Sequence, residues 1–404
     1  MFFAMTQHHG TIFRGSLLVA GTTIGGGMLA LPVATAEMGF FPSLCLYFLC
    51  WLFMASTGLL LLEACLWLKD DTNIVSMAGH TLGKAGSAFA WGWYLFLFYC
   101  LALAYVVGGS NFVKEATGNV LSDRTSAIIF VVVFGAMVVA GERLVGRLNV
   151  IFMGGLALAY FGFVVLGLDH VKGDLLTRND WSYSLSALPI VFVAFAYQGL
   201  VPTLTRYMDY DAKRTRAAIL IGSFIPFITY IIWQGLIQGI VPLEGVNGLA
   251  QARAEGQTAI PSLKHFIQTP YVYHLGQFFA FFALSTSFLG VTLGLFDFLA
   301  DGLSIKKTGM GKVILSALVF IPPLLLAELY PDVFLAALDL AGGFGVALLL
   351  GLLPIIMVWV GRYRKHLNGA QLLPGGRWVL GVLFIFVVLE VIIETYHTIS
   401  RLST

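Results

Sequence analysis

The chain has 404 residues, 58% of them hydrophobic and only 11% charged, and its mean hydropathy is +0.88. Soluble domains carry about 25% charged residues, so a water-soluble globular fold is excluded. A net charge of +2 is too small to point to a nucleic-acid partner. Apolar runs of the roughly 20 residues that cross a bilayer as helix recur throughout, and runs such as LSALVFIPPLLLAEL lack the period-two alternation of a membrane β-barrel. The chain reads as an all-α polytopic membrane protein.

Eleven spans are predicted, after a start, MFFAMTQHHG, that lacks a signal-peptide pattern and reads as a short cytoplasmic tail. Span 1 covers 12–37 and contains VAGTTIGGGMLALP, with Gly21, Gly25, Gly26 and Gly27 around Thr22 and Thr23. Gly lowers helix stability by about 1 kcal/mol relative to Ala. In lipid, irregular backbone survives only where it is buried in protein or lines a cavity. Three consecutive glycines after two β-branched threonines therefore mark an unwinding. The competing reading is close helix packing, since Gly21 and Gly25 have GxxxG spacing.

Span 2 (42–68) holds Glu63 near its cytoplasmic end, and span 3 (86–113) holds Tyr94, Tyr99 and Tyr105. The cysteines Cys45, Cys50, Cys65 and Cys100 lie in apolar runs without metal-ligand spacing and read as buried thiols. Spans 4 and 5 cover 125–140 and 146–168. Span 6 (185–208) reads ALPIVFVAFAYQGLVPTLTRY near its middle, and Tyr197, Gln198, Gly199 and Pro202 interrupt it as the glycines interrupt span 1. Span 7 (215–240) carries Trp233, Gln234 and Gln238, expected as interhelical contacts. The segment 241–270 is either a cover for an outer vestibule or a plain connector. Span 8 (271–303) contains ALSTSFLG, spans 9 and 10 cover 310–327 and 331–360, and span 11 covers 377–399. Asp339 lies in span 10, and Glu390 and Glu394 lie in span 11.

Spans 1 and 6 are five apart and enter from opposite sides. Paired interrupted spans in corresponding positions point to an inverted-repeat transporter with its site at mid-bilayer. Residues 1–178 would form one repeat of five spans, 179–361 the other, and 362–404 an added span. With the N-terminus inside and the C-terminus outside, 16 Lys and Arg, Lys69 among them, fall on the cytoplasmic side and 7 on the other, as the positive-inside rule requires.

The chemistry follows from the breaks. Free N–H groups and a half-helix dipole at Gly25, Gly26 and Gly27 suit a carboxylate. Free carbonyls ending the first half, and those from Phe192 to Phe195, suit an ammonium or a metal cation. A site with both features binds a zwitterion, so an amino acid is the expected ligand. Its neighbours would be Thr22, Thr23, Gly25, Gly26, Gly27, Ala194, Phe195, Tyr197, Gln198 and Gly199, with the Gln198 amide reaching a ring hydroxyl or indole N–H. Intramembrane acids are candidate proton carriers. Glu63 and Asp339 stand first among them, with interhelical pairing as the competing explanation.

The segments GTTIGGGMLALP, AFAYQGLVPTLTRYM and SFLGVTLGLFDFLADGL resemble the matching motifs of bacterial aromatic amino-acid permeases, above all the tyrosine-specific members. That family belongs to the amino acid–polyamine–organocation superfamily. The resemblance covers essentially the whole chain. It implies the leucine-transporter fold with a 5+5 inverted repeat and discontinuous helices 1 and 6. It also implies import of an aromatic amino acid, most of all tyrosine, by symport across the bacterial inner membrane. Enterobacterial members commonly carry His where this chain has Gln198, so that position is polar here but not titratable. By the same resemblance, Tyr99 or Tyr105 would bond the substrate carboxylate. Thr286 and Ser287, with the carbonyls of Gly21 and Ile24, fall where sodium-coupled transporters of this fold hold their ion. The family is usually proton-driven, whereas the absence of Lys from span 5 removes one proton-coupling device of the superfamily, so the coupling cation is H+ or Na+, with H+ favoured by the resemblance. No other cofactor or metal is expected, and the partners are the substrate and the bilayer around a monomer.

Three other functions are weaker. The eight histidines lie near span ends or in loops, and there is no HExxH motif, which speaks against an enzyme. A channel needs a continuous polar file, whereas the polar groups gather at the two breaks. An amino-acid sensor would carry a larger soluble extension. A sodium-coupled or broader neutral amino-acid transporter is the remaining alternative.

Overall fold

A computed structural model describes residues 10–68, 73–267, 269–367, 369 and 371–402. The N-terminal tail 1–9 and Lys69 lie outside the described residues. Those described contain helices and turns and no strand. Ten helical stretches are long and apolar enough to cross a membrane, and a bent pair makes the eleventh span.

The bent pair is span 1: α1 (Ile12–Thr23) and α2 (Gly26–Ala34), at 56° to each other. Span 2 is α3 (Phe40–Leu68). A short helix that periodicity did not suggest, α4 (Ile74–Leu82), follows it, started by a reciprocal capping box between Asn73 and Ser76. Spans 3, 4 and 5 are α5 (Lys84–Ala116), α6 (Asp123–Ala140) and α7 (Glu142–Gly167). Span 6 consists of α8 (Ser184–Ala194), a short 3₁₀ turn (Gln198–Leu200) and α9 (Val201–Tyr207). Span 7 is α10 (Ala212–Ile240), begun by Asp211, whose carboxylate accepts the N–H groups of Lys213 and Arg214. Two small helices, α11 (Leu249–Ala254) and α12 (Ile260–Phe266), order the segment before span 8, which is α13 (Pro270–Gly302). Span 9 is α14 (Gly309–Leu329). Span 10 runs through α15 (Phe334–Leu340), a π-helical stretch (Ala341–Leu352) and α16 (Leu353–Tyr363), and span 11 is α17 (Gly376–Leu402).

Packing separates the elements that hold the breaks from those that meet lipid. The first half of span 1, α1, packs on α10, whereas its second half, α2, packs on α8, α10, α11 and α13. The long helix α13 lies against α5 and α7 and forms a wall behind the span 1 break. On α17, Val382, Ile385, Leu389 and Ile392 are exposed at helical spacing, as a lipid-facing stripe requires, while Leu380, Val387 and Glu390 are buried.

Candidate functional site at two helix breaks

The hydrogen-bond ladder of α1 stops where the sequence turns to glycine. Ile24 still donates to Ala20 O at 2.8 Å, but Gly25 is extended (φ −165°, ψ −153°) and the helix restarts at Gly26. Thr22 and Thr23 do not reach into the gap. Their hydroxyls donate back to Leu18 O and Val19 O, each at 2.8 Å. The N–H of Gly26, a helix-start donor left open by the break, is taken by Ser287 Oγ of α13 at 3.0 Å.

The three glycines each make room for a different neighbour. A Cβ on Gly25 would overlap Ser287 Oγ. One on Gly26 would lie 2.5 Å from the Tyr105 ring, and one on Gly27 would lie 3.1 Å from Ala194 Cα. Gly27 thus allows backbone-to-backbone approach of α2 and α8. Gly25 and Gly26 admit side chains from α13 and α5 to the break. The Tyr105 hydroxyl is itself in reach of Ser287.

In span 6 the break runs from Phe195 to Tyr197, after which the turn at Gln198 leads into α9 with Pro202 in its first turn. Gln198 is fully buried and fully used. Its Oε1 accepts the N–H of Tyr197 at 2.9 Å, and its Nε2 donates to Met54 O and Thr57 Oγ1, both at 3.1 Å. The Tyr197 hydroxyl also donates to Met54 O, at 3.2 Å, and fits only because Gly58 has no side chain. Tyr197 and Gln198 therefore stitch the break to α3. The expectation that the Gln198 amide points at a ligand ring is corrected here: its oxygen is spent on the Tyr197 N–H that the break leaves open, and its NH2 on Met54 O and Thr57 Oγ1 of α3. Phe195 packs edge-on against Tyr230 at 5.0 Å, behind the break, and Gly199 is exposed near the Tyr94 hydroxyl.

A residue that sequence reasoning missed joins the two breaks. The Tyr230 hydroxyl of α10 lies 2.8 Å from both Thr23 O and Ala194 O, the carbonyls that end the first halves of spans 1 and 6. A tyrosine in a chain with 15 of them carries no signal of this role. Gln234 and Gln238 of α10 do make the interhelical bonds expected of them, to Thr35 Oγ1 at 2.7 Å and Thr35 O at 3.2 Å. Trp233 packs on Phe279 at 4.7 Å.

Other candidates lie elsewhere. The Tyr99 hydroxyl donates to Leu318 O at 2.9 Å, so this side chain faces α14 and not the breaks. Of the proposed cation ligands, Ser287 meets Gly26, and Thr286 donates back to Phe282 O at 2.8 Å. Gly21 and Ile24 sit at the end of α1, with Met153 over Gly21. Glu63 is not a free carboxyl. Arg362 grips both its oxygens at 2.6 Å and the Leu372 N–H adds a third bond at 3.0 Å, so this acid is spent on a buried ion pair between α3 and α16. Asp339 is 4% exposed, and its charge acts on Glu390 of α17.

Above the span 1 break opens a cavity of about 280 Å³, lined by Asn111, Glu115, Lys264, His265 and Gln277 and floored by Gly108, Leu284 and Phe334. Leu284 Cδ2 lies 2.8 Å from where a Gly108 Cβ would stand and 3.4 Å from where a Gly26 Cβ would. It thus separates the cavity from the break. The wall contributed by α12 sets part of the segment before span 8 over this cavity. Arg253 of α11 ties that cover to the end of α2 through Glu37 at 2.9 Å and Ala34 O at 3.2 Å.

Over residues 8–393 the chain matches the tryptophan/tyrosine permease family. It is 33% identical to a tyrosine-specific transport system (system 1) of Haemophilus influenzae over 378 residues, covering 93% of this chain and 94% of that protein. It is 29% identical over 404 residues to a tryptophan-specific transport protein of the same organism, covering 96% of each. The crystal structure of a manganese transporter mutant from Eremococcus coleocola superposes with a TM-score of 0.62 at 12% identity, over 97% of this chain and 88% of that one, so the two share a leucine-transporter-like fold. Two interrupted spans meeting inside an eleven-span helical bundle, and a family match along nearly the whole chain, place this protein in the tryptophan/tyrosine permease family, whose members are transport proteins and not enzymes.

Proposed function

We propose that the protein is a secondary transporter that imports an aromatic amino acid, tyrosine before tryptophan, across the bacterial inner membrane, with its N-terminus inside and its C-terminus outside. The observation that carries this reading is the Gly26 N–H. It is a helix-start donor whose partner among the described residues is a side-chain hydroxyl, Ser287 Oγ at 3.0 Å. A substrate carboxylate is a stronger acceptor and carries the charge that the half-helix dipole favours. It would displace Ser287 from that amide. The released hydroxyl, with Tyr105 beside it, can then donate to the same carboxylate. The substrate ammonium would sit among the carbonyls at the ends of α1 and α8. Its ring would lie against surfaces that spans 3, 6, 8 and 10 bring to the break: Tyr105, Ala194, Leu284 and Phe334.

Coupling to H+ is favoured over Na+. Thr286 and Ser287 both have protein partners, and the family resemblance points the same way. The two relatives, named for tyrosine and tryptophan, support the aromatic class. In this reading residues 1–178 and 179–361 are the two repeats, and spans 1, 2, 6 and 7 rock against spans 3, 4, 8 and 9. Binding of substrate and cation together favours the closed state. The test is uptake of labelled tyrosine into proteoliposomes under an imposed pH or sodium gradient, with unlabelled tyrosine, tryptophan and leucine as competitors. Accumulation driven by the pH gradient and blocked by tyrosine and tryptophan is expected. Accumulation blocked equally by leucine would replace the aromatic class with neutral amino acids.

A further inference from the structure

Span 11 carries a carboxyl group for which the transport site has no use. Glu390 is 1% exposed, and neither of its oxygens has a hydrogen-bond partner among the described residues. It lies on the inward stripe of α17, between Val387 and Glu394, so its carboxyl reaches neither lipid nor the membrane surface. An ionised carboxylate placed there loses its hydration and gains nothing in exchange. Buried ionisable groups inside a membrane protein pair with each other, or mark ion and proton paths.

Among the described residues, no cation is seen to act on Glu390. The groups whose charge acts on Glu390 are Glu394, one turn along the same helix, and Asp339 of α15. From α3, the thiol facing it is Cys50. The helices α8 and the π-helical stretch, both packed on α17, contain no titratable residue. The other neighbour, α16, brings Arg362 and Tyr363. Arg362 is bound to Glu63, and the Tyr363 ring lies under Arg377.

The backbone of span 10 is shaped around this cluster. A Cβ on Gly343 would overlap Glu394 Cγ and lie 3.0 Å from its carboxyl carbon, so glycine makes the seat for that side chain. A Cβ on Gly342 would overlap the carbonyl of Pro189, in the first half of span 6. One turn of span 10 thus touches both the carboxyl cluster and the broken helix. The π-helical stretch starts at Ala341, two residues after Asp339, and such wide turns concentrate at functional positions.

We propose that Asp339, Glu390 and Glu394 form a proton-binding site, and that its occupancy couples the proton gradient to movement of spans 10 and 6. The proton arrives from external water, adds to a carboxylate oxygen of Glu390 to give a neutral acid shared with its two neighbours, and leaves to the cytoplasm. No electron is transferred. The role in coupling rests on the transport function proposed above. The binding of a proton does not.

Two measurements on the full-length protein in proteoliposomes test this. The first is infrared difference spectroscopy between alkaline and neutral pH. A carboxylic-acid carbonyl stretch is expected in the wild type and is absent in Glu390→Gln, a neutral isostere that keeps the packing of the protonated group. Should that variant not fold, Glu394→Gln and Asp339→Asn are expected to shift the band. The second compares accumulation of labelled tyrosine driven by a pH gradient with tyrosine counterflow in its absence. Glu390→Gln is expected to lose accumulation above the equilibrium level and to keep counterflow. No acid band in the wild type, or full pH-driven accumulation in Glu390→Gln, overturns the proposal. Wild-type protein without any tyrosine or tryptophan counterflow would overturn the transport function instead, and the infrared band would still decide whether the cluster binds a proton.

Discussion

The hydroxyl of Tyr230 stands 2.8 Å from the carbonyl of Thr23, and at the same distance from that of Ala194. One side chain from span 7 thereby holds the ends of two interrupted helices that are 171 positions apart in the chain. Tyr230→Phe removes the donor and leaves two buried carbonyls to share nothing. A loss of about 1–3 kcal/mol is expected. It should be seen as a lower melting temperature in detergent and a weaker substrate affinity by the same variant. An unchanged melting temperature would mean that the bridge does not hold the breaks together.

The fit between Gly25 and Ser287 can be tested as a pair. Gly25→Ala places a methyl group where Ser287 Oγ now sits, and overpacking of this kind costs about 1–3 kcal/mol. Ser287→Ala removes the obstructing oxygen, so the double variant should recover part of the lost stability. Strict additivity in the double-mutant cycle would show that the two residues do not meet.

Gln198 is predicted to matter for stability and not for choice of substrate. Gln198→Ala orphans the Tyr197 N–H and takes donors from Met54 O and Thr57, at a cost of about 1–3 kcal/mol. The ratio of tyrosine to tryptophan affinity, measured by competition, should stay as in the wild type. A change in that ratio would put the amide back in the ligand pocket.

Glu63 and Arg362 form a buried bidentate pair, and removing one partner strands the other charge. Glu63→Gln should cost about 3–5 kcal/mol. Glu63→Gln with Arg362→Met should regain most of it. Because the pair lies away from the breaks, pH-driven uptake by the stable double variant is expected to continue, and its abolition would restore Glu63 as a proton carrier.

How much was readable beforehand differs from residue to residue. Composition and hydropathy were sufficient for the eleven spans, because crossing a bilayer demands about 20 apolar residues whatever they pack against. The break in span 1 was equally legible, since Gly25-Gly26-Gly27 lacks the local helix preference that its neighbours have. The interruption at Tyr197-Gln198-Gly199 was legible for the same reason. These are properties of the chain's own local chemistry.

What each side chain does at the breaks was decided only in three dimensions. Tyr99 and Tyr105 are six residues apart on one helix, yet one bonds Leu318 O of α14 and the other covers Gly26. Gln198 was expected at a ligand and is bound to α3. Tyr230 gave no hint of itself and spans both breaks. The reason is physical. A buried polar group must find a partner wherever the packed neighbours place one, and those neighbours come from spans far along the chain. Local sequence therefore determines where this backbone must open, and the tertiary packing determines which groups close around the opening.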